Sequence, residues 1–541
     1  MRLFAFFAVL VAGMAAQPPV FRNLRAQYVG SKTCSSCHKD IYDKFVKTAM
    51  GRSVTRPGAD LLVEPVRVIN ARFQREFRVV REGGELFQTE SQAGLFDSKY
   101  KLEYAIGSGE NGISFVVRRG NHLFQAPLSY YAAAKRWDLS PGYEESGEGF
   151  NRPIYEDCIV CHSGRPKPVP RRDGLFEDPP FAELAIGCEN CHGPGALHVA
   201  ERSRGAAVTM PDTSIVNPHR LPARLAEDIC MQCHQGGDTR VLLPGRRYSD
   251  FRPGSRLIET VAIFSLTGAG KDADLLEHHS SMQSSRCFRE SNGELGCVTC
   301  HNPHQEPADP PAHFREKCMK CHSRQGCTLN LAARRATTPP DDCTACHMPK
   351  RTVARISHSA LTNHRIPARP GEPPPVPLSR LTVVNGREAE LPLATRLAAY
   401  GGLAGKAPAL ESKYAELLDE AARSGSQDPA VLTALGHKAL AESPANAAAL
   451  LAKAEERGAT GPLLFLDLGE ALSLAGKGED SVAAFERGEA LFPWSPALRK
   501  RLVLGYISVK AYAKARSAME RYVADFPEDP LMRRLLEQAP K

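Results

Sequence analysis

Apolar and polar positions change rhythm several times along this chain, and the changes divide it. Residues 3–12 form a short apolar run behind Arg2 and ahead of the small residues Gly13, Ala15 and Ala16. This is the layout of an export signal, expected over residues 1–16. A run of about ten residues is half of what a membrane-spanning helix needs. No comparable run follows, so the mature chain is expected to be soluble, without a transmembrane segment. Between residues 61 and 150 the pattern shortens to alternation, and stretches 66–80 and 113–119 predict strands broken by Gly and Asn. Gly107, Gly109 and Gly112 have the spacing of a dinucleotide loop, but they lead into a strand rather than a helix, which predicts a hairpin loop instead. Tyr130, Tyr131, Trp137 and Tyr143 follow as core or pocket-wall aromatics.

From residue 151 to 370 the chain offers little apolar sequence from which to build a conventional core. A proline-rich stretch around residues 366–377 then predicts an extended linker, placed at 371–390. From 391 to 541 the composition turns to Ala, Leu and Glu. Pro462, Pro496 and Pro530 recur with a period of 34, and Phe492-Pro493 is echoed by Phe526-Pro527. That period with helix-turn-helix character resembles tetratricopeptide repeats, an α-solenoid whose concave face usually takes a peptide or a partner protein.

Composition adds bounds. The chain has 541 residues, 42% hydrophobic and 24% charged, which excludes wholesale disorder and a polytopic membrane protein. Its 16 cysteines are too dilute for a disulfide scaffold and too many for a routine cytosolic enzyme.

Fourteen of those 16 cysteines fall into seven copies of Cys-x-x-Cys-His. In chain order these are Cys34/Cys37/His38, Cys158/Cys161/His162, Cys188/Cys191/His192, Cys230/Cys233/His234, Cys297/Cys300/His301, Cys318/Cys321/His322 and Cys343/Cys346/His347, numbered 1 to 7 below. Chance supplies about 0.01 such pentapeptides in a chain of this composition. Zinc sites need no His directly after the second Cys, and a disulfide framework would not repeat that His seven times. Two thiols at this spacing suit thioether bonds to both vinyl groups of one haem, with the adjacent imidazole on its iron. Seven covalent haem c groups are therefore expected. Attachment outside the cytoplasm agrees with export, and the expected location is periplasmic. Motif 1 stands apart, its His38 lying 124 positions before His162, and the other six are crowded into about 200 residues. The porphyrins would have to supply much of that region's buried apolar surface.

The formal charge of +8 changes meaning with this cofactor. Each oxidised haem with two propionates adds about −1, so the loaded protein is near neutral and the basic residues become propionate partners. Nucleic acid is not an expected partner.

Each iron needs a sixth ligand. Outside the motifs stand His122, His198, His219, His278, His279, His304, His313, His358, His364 and His437, the last far downstream and expected at the surface. His198 and His304 each follow a motif closely and are better suited to a neighbouring haem than to their own. His358 and His364 form a compact pair after motif 7. Met50 is a candidate sixth ligand for haem 1 or a core methionine. In an oxidising compartment the two remaining cysteines, Cys287 and Cys327, are expected to pair.

With these residues in view the chain resembles periplasmic multihaem cytochromes c of the doubled Cys-x-x-Cys-His type that carry a C-terminal tetratricopeptide array. More loosely, it is similar to the group containing hydroxylamine-oxidation cytochromes and octahaem nitrogen- and sulfur-oxyanion reductases. The segments that carry the resemblance are residues 187–195, 297–304, 343–350 and 358–364, with His278, Met282 and Cys287. It implies a mainly α fold: an irregular multihaem domain (haem 1 over 17–60, six haems over 151–370) with a small strand-rich insert, then the solenoid. It also implies electron transfer between redox partner proteins, with the repeats docking one of them. The alternative is an oxidoreductase acting on a small inorganic nitrogen or sulfur compound at one open-coordinated haem, with haem 1 the natural suspect.

Overall fold

A computed structural model describes residues 21–58, 65–207, 212–267, 277–323, 327–350, 362–369, 372 and 380–539. The export segment and His358 lie outside the described residues.

Alternation in the first third builds two antiparallel sheets that share one core. Strands Val66–Asn70, Arg75–Glu82, Glu85–Gln92 and Phe96–Lys101 form a meander in sequence order. The second sheet runs Val54–Thr55, Tyr104–Ile106, Gly112–Arg119, Leu128–Tyr131 and Arg136–Leu139, with His122–Gln125 also paired to Gly112–Arg119. Their inward positions bury Phe77, Val79, Leu86, Phe115, Val117, Phe124, Leu128, Trp137 and Tyr143 together. The expected hairpin loop is formed: Tyr104–Ile106 and Gly112–Arg119 pair antiparallel on either side of it.

Strands are not confined to that insert. Ser163–Pro168 pairs with Phe176–Ala185, and Thr239–Leu242, Val261–Thr267 and Arg380–Val383 make a three-stranded antiparallel sheet. The last of these strands comes from the stretch expected to be linker, and it ties residues after the motifs back to the sheet between motifs 4 and 5. A small core of Phe21, Val216, Ile229, Met231, Phe251, Leu257, Val261 and Ile263 gathers around motifs 3 and 4. Farther along, the protein core ends: from residue 286 to 350 no described residue is buried. Motifs 5, 6 and 7 all lie in this stretch.

The C-terminal part is a run of antiparallel helices, from Leu393–Leu403 to Pro530–Gln538. The recurring prolines open helices, where the missing N–H costs nothing, as in Pro462–Leu474, Pro496–Ser508 and Pro530–Gln538. Gly469 permits the closest approach, since a Cβ there would stand 2.3 Å from the Phe485 ring. The array lies against the strand-rich module at Trp494, which meets Phe124 edge-on at 5.1 Å with the Arg119 guanidinium 4.1 Å from its ring, and at Glu528, which accepts from Asn151 at 2.8 Å. Among the described residues no helix is long and apolar enough to cross a membrane.

Candidate cofactor-attachment sites

All seven motifs sit on or beside a helical turn. These turns are Ser31–Cys34, Glu156–Ile159, Glu189–His192, Ala223–His234, Cys297–Cys300, Pro310–His322 and Cys343–His347. Residues three apart on a turn share a face, so both thiols of a motif point to one side. The His amide donates to the first Cys carbonyl at 2.9 Å in motif 1 and at 3.0 Å in motifs 3 and 5, which holds the imidazole on the same turn.

Four of the motif imidazoles face a second imidazole from another part of the chain. His192 and His304 approach Nε2 to Nε2 at 3.5 Å, their rings 6° from parallel and 5.8 Å between centres. His38 faces His198 at 6.5 Å and 21°, His234 faces His278 at 5.5 Å and 24°, and His301 faces His364 at 6.3 Å and 33°. Two metal–nitrogen bonds of about 2 Å in line set facing nitrogens about 4 Å apart and ring centres about 6 Å apart. The last two pairs adjoin, with His278 and His364 only 4.4 Å between centres.

The other ring nitrogens settle the tautomer. His192 Nδ1 lies 2.7 Å from Val216 O, His364 Nδ1 3.0 Å from Thr362 O and His347 Nδ1 2.9 Å from Pro367 O. A carbonyl only accepts, so Nδ1 carries the proton and Nε2 keeps its lone pair, the form that ligates metal. His198 is held through Nδ1 as well, by Ser214 Oγ at 3.1 Å and Asp212 at 3.3 Å. Burial favours the neutral imidazole at six positions: His278 is pushed down to about 3 and His301 to about 4, chiefly by desolvation. His192, His234, His304 and His364 are lowered for the same reason.

The remaining histidines are engaged otherwise. His313 Nε2 lies 3.1 Å from Cys300 O, and buried His279 pairs with Glu227 at 2.8 Å. His437 pairs with Asp467 at 2.7 Å, and His122 stands against Trp494. His219 and His322 are exposed, and His162 lies just after the Glu156–Ile159 turn. Met50 opens the short helix Met50–Arg52 and is half-buried, while the imidazole facing His38 is that of His198.

Thiols of different motifs also meet. The thiols of Cys188, Cys233, Cys230 and Cys343 lie close enough to Cys34, Cys161, Cys297 and Cys318, respectively, to shift their ionisation. Cys37 is exposed just past the Ser31–Cys34 turn, where its amide donates to Cys34 O at 3.2 Å. Cys346 is half-buried inside Cys343–His347, and Cys158 is exposed with its thiol 3.4 Å from Asp157. The disulfide expected between Cys287 and Cys327 is not formed, and both thiols are free. Cys287 is half-buried near Cys300 and Cys321, whereas Cys327 is exposed and accepts from the Leu329 amide. Among the described residues no group of three or more His, Cys, Asp and Glu side chains converges to hold a bare metal ion. Twin thiols on one turn, an adjoining imidazole and a second imidazole across a metal-sized gap fit haem c.

One residue had no signal in the sequence. Glu189, between the cysteines of motif 3, is 2% exposed and accepts from the amides of Val29, Gly30 and Gly195. It clamps the turn of motif 3 to the chain entering motif 1.

No family model matches the chain, and no curated protein matches it. Among solved structures the chain is similar to the outer cell wall cytochrome OcwA over 88% of its own length and 99% of that chain, with 14% identity and a TM-score of 0.37. It is similar to a MamA mutant over 25% of its length and 79% of that chain, with 17% identity and a TM-score of 0.22. The APC/C hetero-tetramer Cut9-Hcn1 matches 28% of this chain and 30% of that one, with 18% identity and a TM-score of 0.24. At these TM-scores the overlap is loose, and the functional reading rests on the chain's own residues.

Proposed function

We propose that this chain is an exported, periplasmic seven-haem c-type cytochrome that relays electrons between redox partner proteins, one of them docked by the helical repeats. The observation that carries the reading is the facing of His192 and His304, Nε2 to Nε2 at 3.5 Å with near-parallel rings, repeated in looser form at motifs 1, 4 and 5. The two thiols of each motif would hold haem c through its vinyl groups and the imidazole on the same turn would ligate its iron, with His198, His304, His278 and His364 supplying the second imidazole at motifs 1, 3, 4 and 5. Haem c would supply the one-electron exchange of iron. The absence of buried residues among those described from 286 to 350 agrees with porphyrins serving as that region's core. In the repeat array, Leu463, Leu474, Leu504, Ile507 and Leu531 are exposed on successive first helices of the pairs, an apolar face suited to a peptide.

The alternative of catalysis on a small nitrogen or sulfur compound requires an iron with an open face. Its natural suspect was motif 1, and there the His198 imidazole stands opposite His38. Relay is therefore preferred. Optical spectra of the oxidised and dithionite-reduced protein, with and without carbon monoxide, test this, with haem counted by pyridine haemochrome. Seven low-spin haems without a carbon monoxide shift are expected. A shift worth one haem would move the assignment to catalysis.

A further inference from the structure

We propose that the attachment sites form one line in the order 1, 3, 4, 5, 6, 7, and that site 2 hangs from this line as a side branch at site 4. This rests on the haem reading above and adds the connectivity that the chain order hides.

Where two motifs are in contact, the porphyrins they would hold are brought together. In motif 3 the Cys188 amide donates to Ser31 Oγ at 2.9 Å and Glu189 accepts from the Gly30 amide at 2.8 Å, so motif 3 is tied to the turn of motif 1, bypassing motif 2. Gln232, inside motif 4, donates its side-chain amide to Asn190 O inside motif 3 at 3.2 Å. His278, which faces motif 4, stands 4.4 Å between ring centres from His364, which faces motif 5. The helix Pro310–His322, which ends in motif 6, reaches Cys300 O of motif 5 through His313 Nε2 at 3.1 Å, and its Arg315 donates to Asp341 O, just before motif 7, at 3.1 Å. Motif 2 joins through Cys161, whose thiol donates to Gln232 O of motif 4 at 3.4 Å. Motif 4 thus meets motifs 2, 3 and 5.

The axial imidazoles run the same way. His198, just past motif 3, faces motif 1, and His304, just past motif 5, faces motif 3. His364, past motif 7, faces motif 5. The line is laced by ligands handed backward along it, and motif 2 hands none forward. Three termini result, sites 1, 2 and 7, so an electron entering at one of them has two exits.

The test uses the full-length holoprotein and begins with a haem count, since fewer than seven haems would sink the underlying reading rather than the branch. In His162→Met the haem stays covalently attached while its potential rises, so it is reduced first. Haem methyl signals, followed by NMR through a redox titration, are expected to shift for haem 4 as haem 2 is reduced, with those of haems 6 and 7 unmoved. Movement at haem 6 or 7 with haem 4 still would overturn the branch. The pair Cys158→Ser/Cys161→Ser removes haem 2 outright, and Cys297→Ser/Cys300→Ser removes haem 5. In stopped-flow reduction by dithionite, loss of haem 5 is expected to split the remaining haems into two sets, one reduced at least tenfold more slowly. The same split on loss of haem 2 would place haem 2 within the line and overturn the proposal.

Discussion

The Gly30 amide donates to the Glu189 carboxylate at 2.8 Å across 159 positions of sequence. The same carboxylate takes the Val29 and Gly195 amides, so one buried charge fixes the entry to motif 1, the turn of motif 3 and the start of the helix that carries His198. Such charge-assisted bonds are the strong ones, and removing the acceptor strands buried donors. Glu189→Ala is expected to lower the stability of the loaded protein by about 3 kcal/mol, and Glu189→Gln, which keeps one acceptor oxygen, by about half as much. Denaturant unfolding followed by the Soret band measures both. A loss below about 0.5 kcal/mol for the alanine variant would show that the clamp contributes little.

On the proposed haem reading, removing His304 would free one ligand position at motif 3. His304→Ala is expected to convert one haem in seven to high spin and to give it a carbon monoxide shift, leaving the haem count unchanged. His304→Met should keep that haem low-spin and raise its potential. The same pair of substitutions at His198 should act on a different haem, and the two effects should add. If neither alanine variant changes the spin state, the facing imidazoles are not the axial ligands.

The seven motifs, the proposed attachment sites, were legible because the pattern is local: two thiols and an imidazole on one turn are a sequence pattern before they are a structure. The repeats were legible for a similar reason, since each helix pair meets only its neighbours. What the sequence hid is long-range. That His304 turns toward His192 depends on 112 positions of intervening chain. Nor does the motif reveal that the turn carrying Cys34 is tied to Cys188 of another motif while Cys37, just past that turn, is exposed. Strands Ser163–Pro168 and Phe176–Ala185 carry prolines that argue against a sheet, yet the two form an isolated antiparallel pair with open edges, where a missing donor is tolerated. Cys287 and Cys327 looked alike as leftovers, but one is half-buried beside motifs 5 and 6 and the other is exposed.

Trp494 is the aromatic side chain of the helical array that packs on the strand-rich module. It packs on Phe124, takes the Arg119 guanidinium on its face, and stands near His122. Burial lowers Arg119, so this contact is a desolvated cation over an aromatic ring, worth up to about 2 kcal/mol beyond area. Trp494→Ala is expected to cost about 3 kcal/mol and to make the chain between module and array more open to limited proteolysis. Trp494→Phe should recover most of the protection. Equal protease resistance in the alanine variant would mean that other contacts carry the junction.

The junction also holds a buried acid. Glu90 is pushed up to about 7, first by desolvation, with Glu528 of the repeat array adding to the rise and Arg75 at 2.6 Å opposing it. Glu528, bonded by Asn151 at 2.8 Å, is raised by burial as well. A carboxyl whose folded pKa lies above its unfolded value binds its proton more tightly when folded. Its contribution is therefore complete below about pH 4.5 and is lost as pH rises toward about 7. Over that window the stability of the module and its junction is expected to fall by on the order of 3 kcal/mol. Glu90→Gln stays neutral at every pH and should flatten this slope while keeping an oxygen for Arg75. Unfolding of both proteins at pH 5 and pH 7.5 decides it, monitored by tryptophan fluorescence, since Trp137 lies in the module core and Trp494 at the junction. A wild-type stability that rises between those two values would mean that the Arg75 pairing outweighs burial and holds Glu90 ionised.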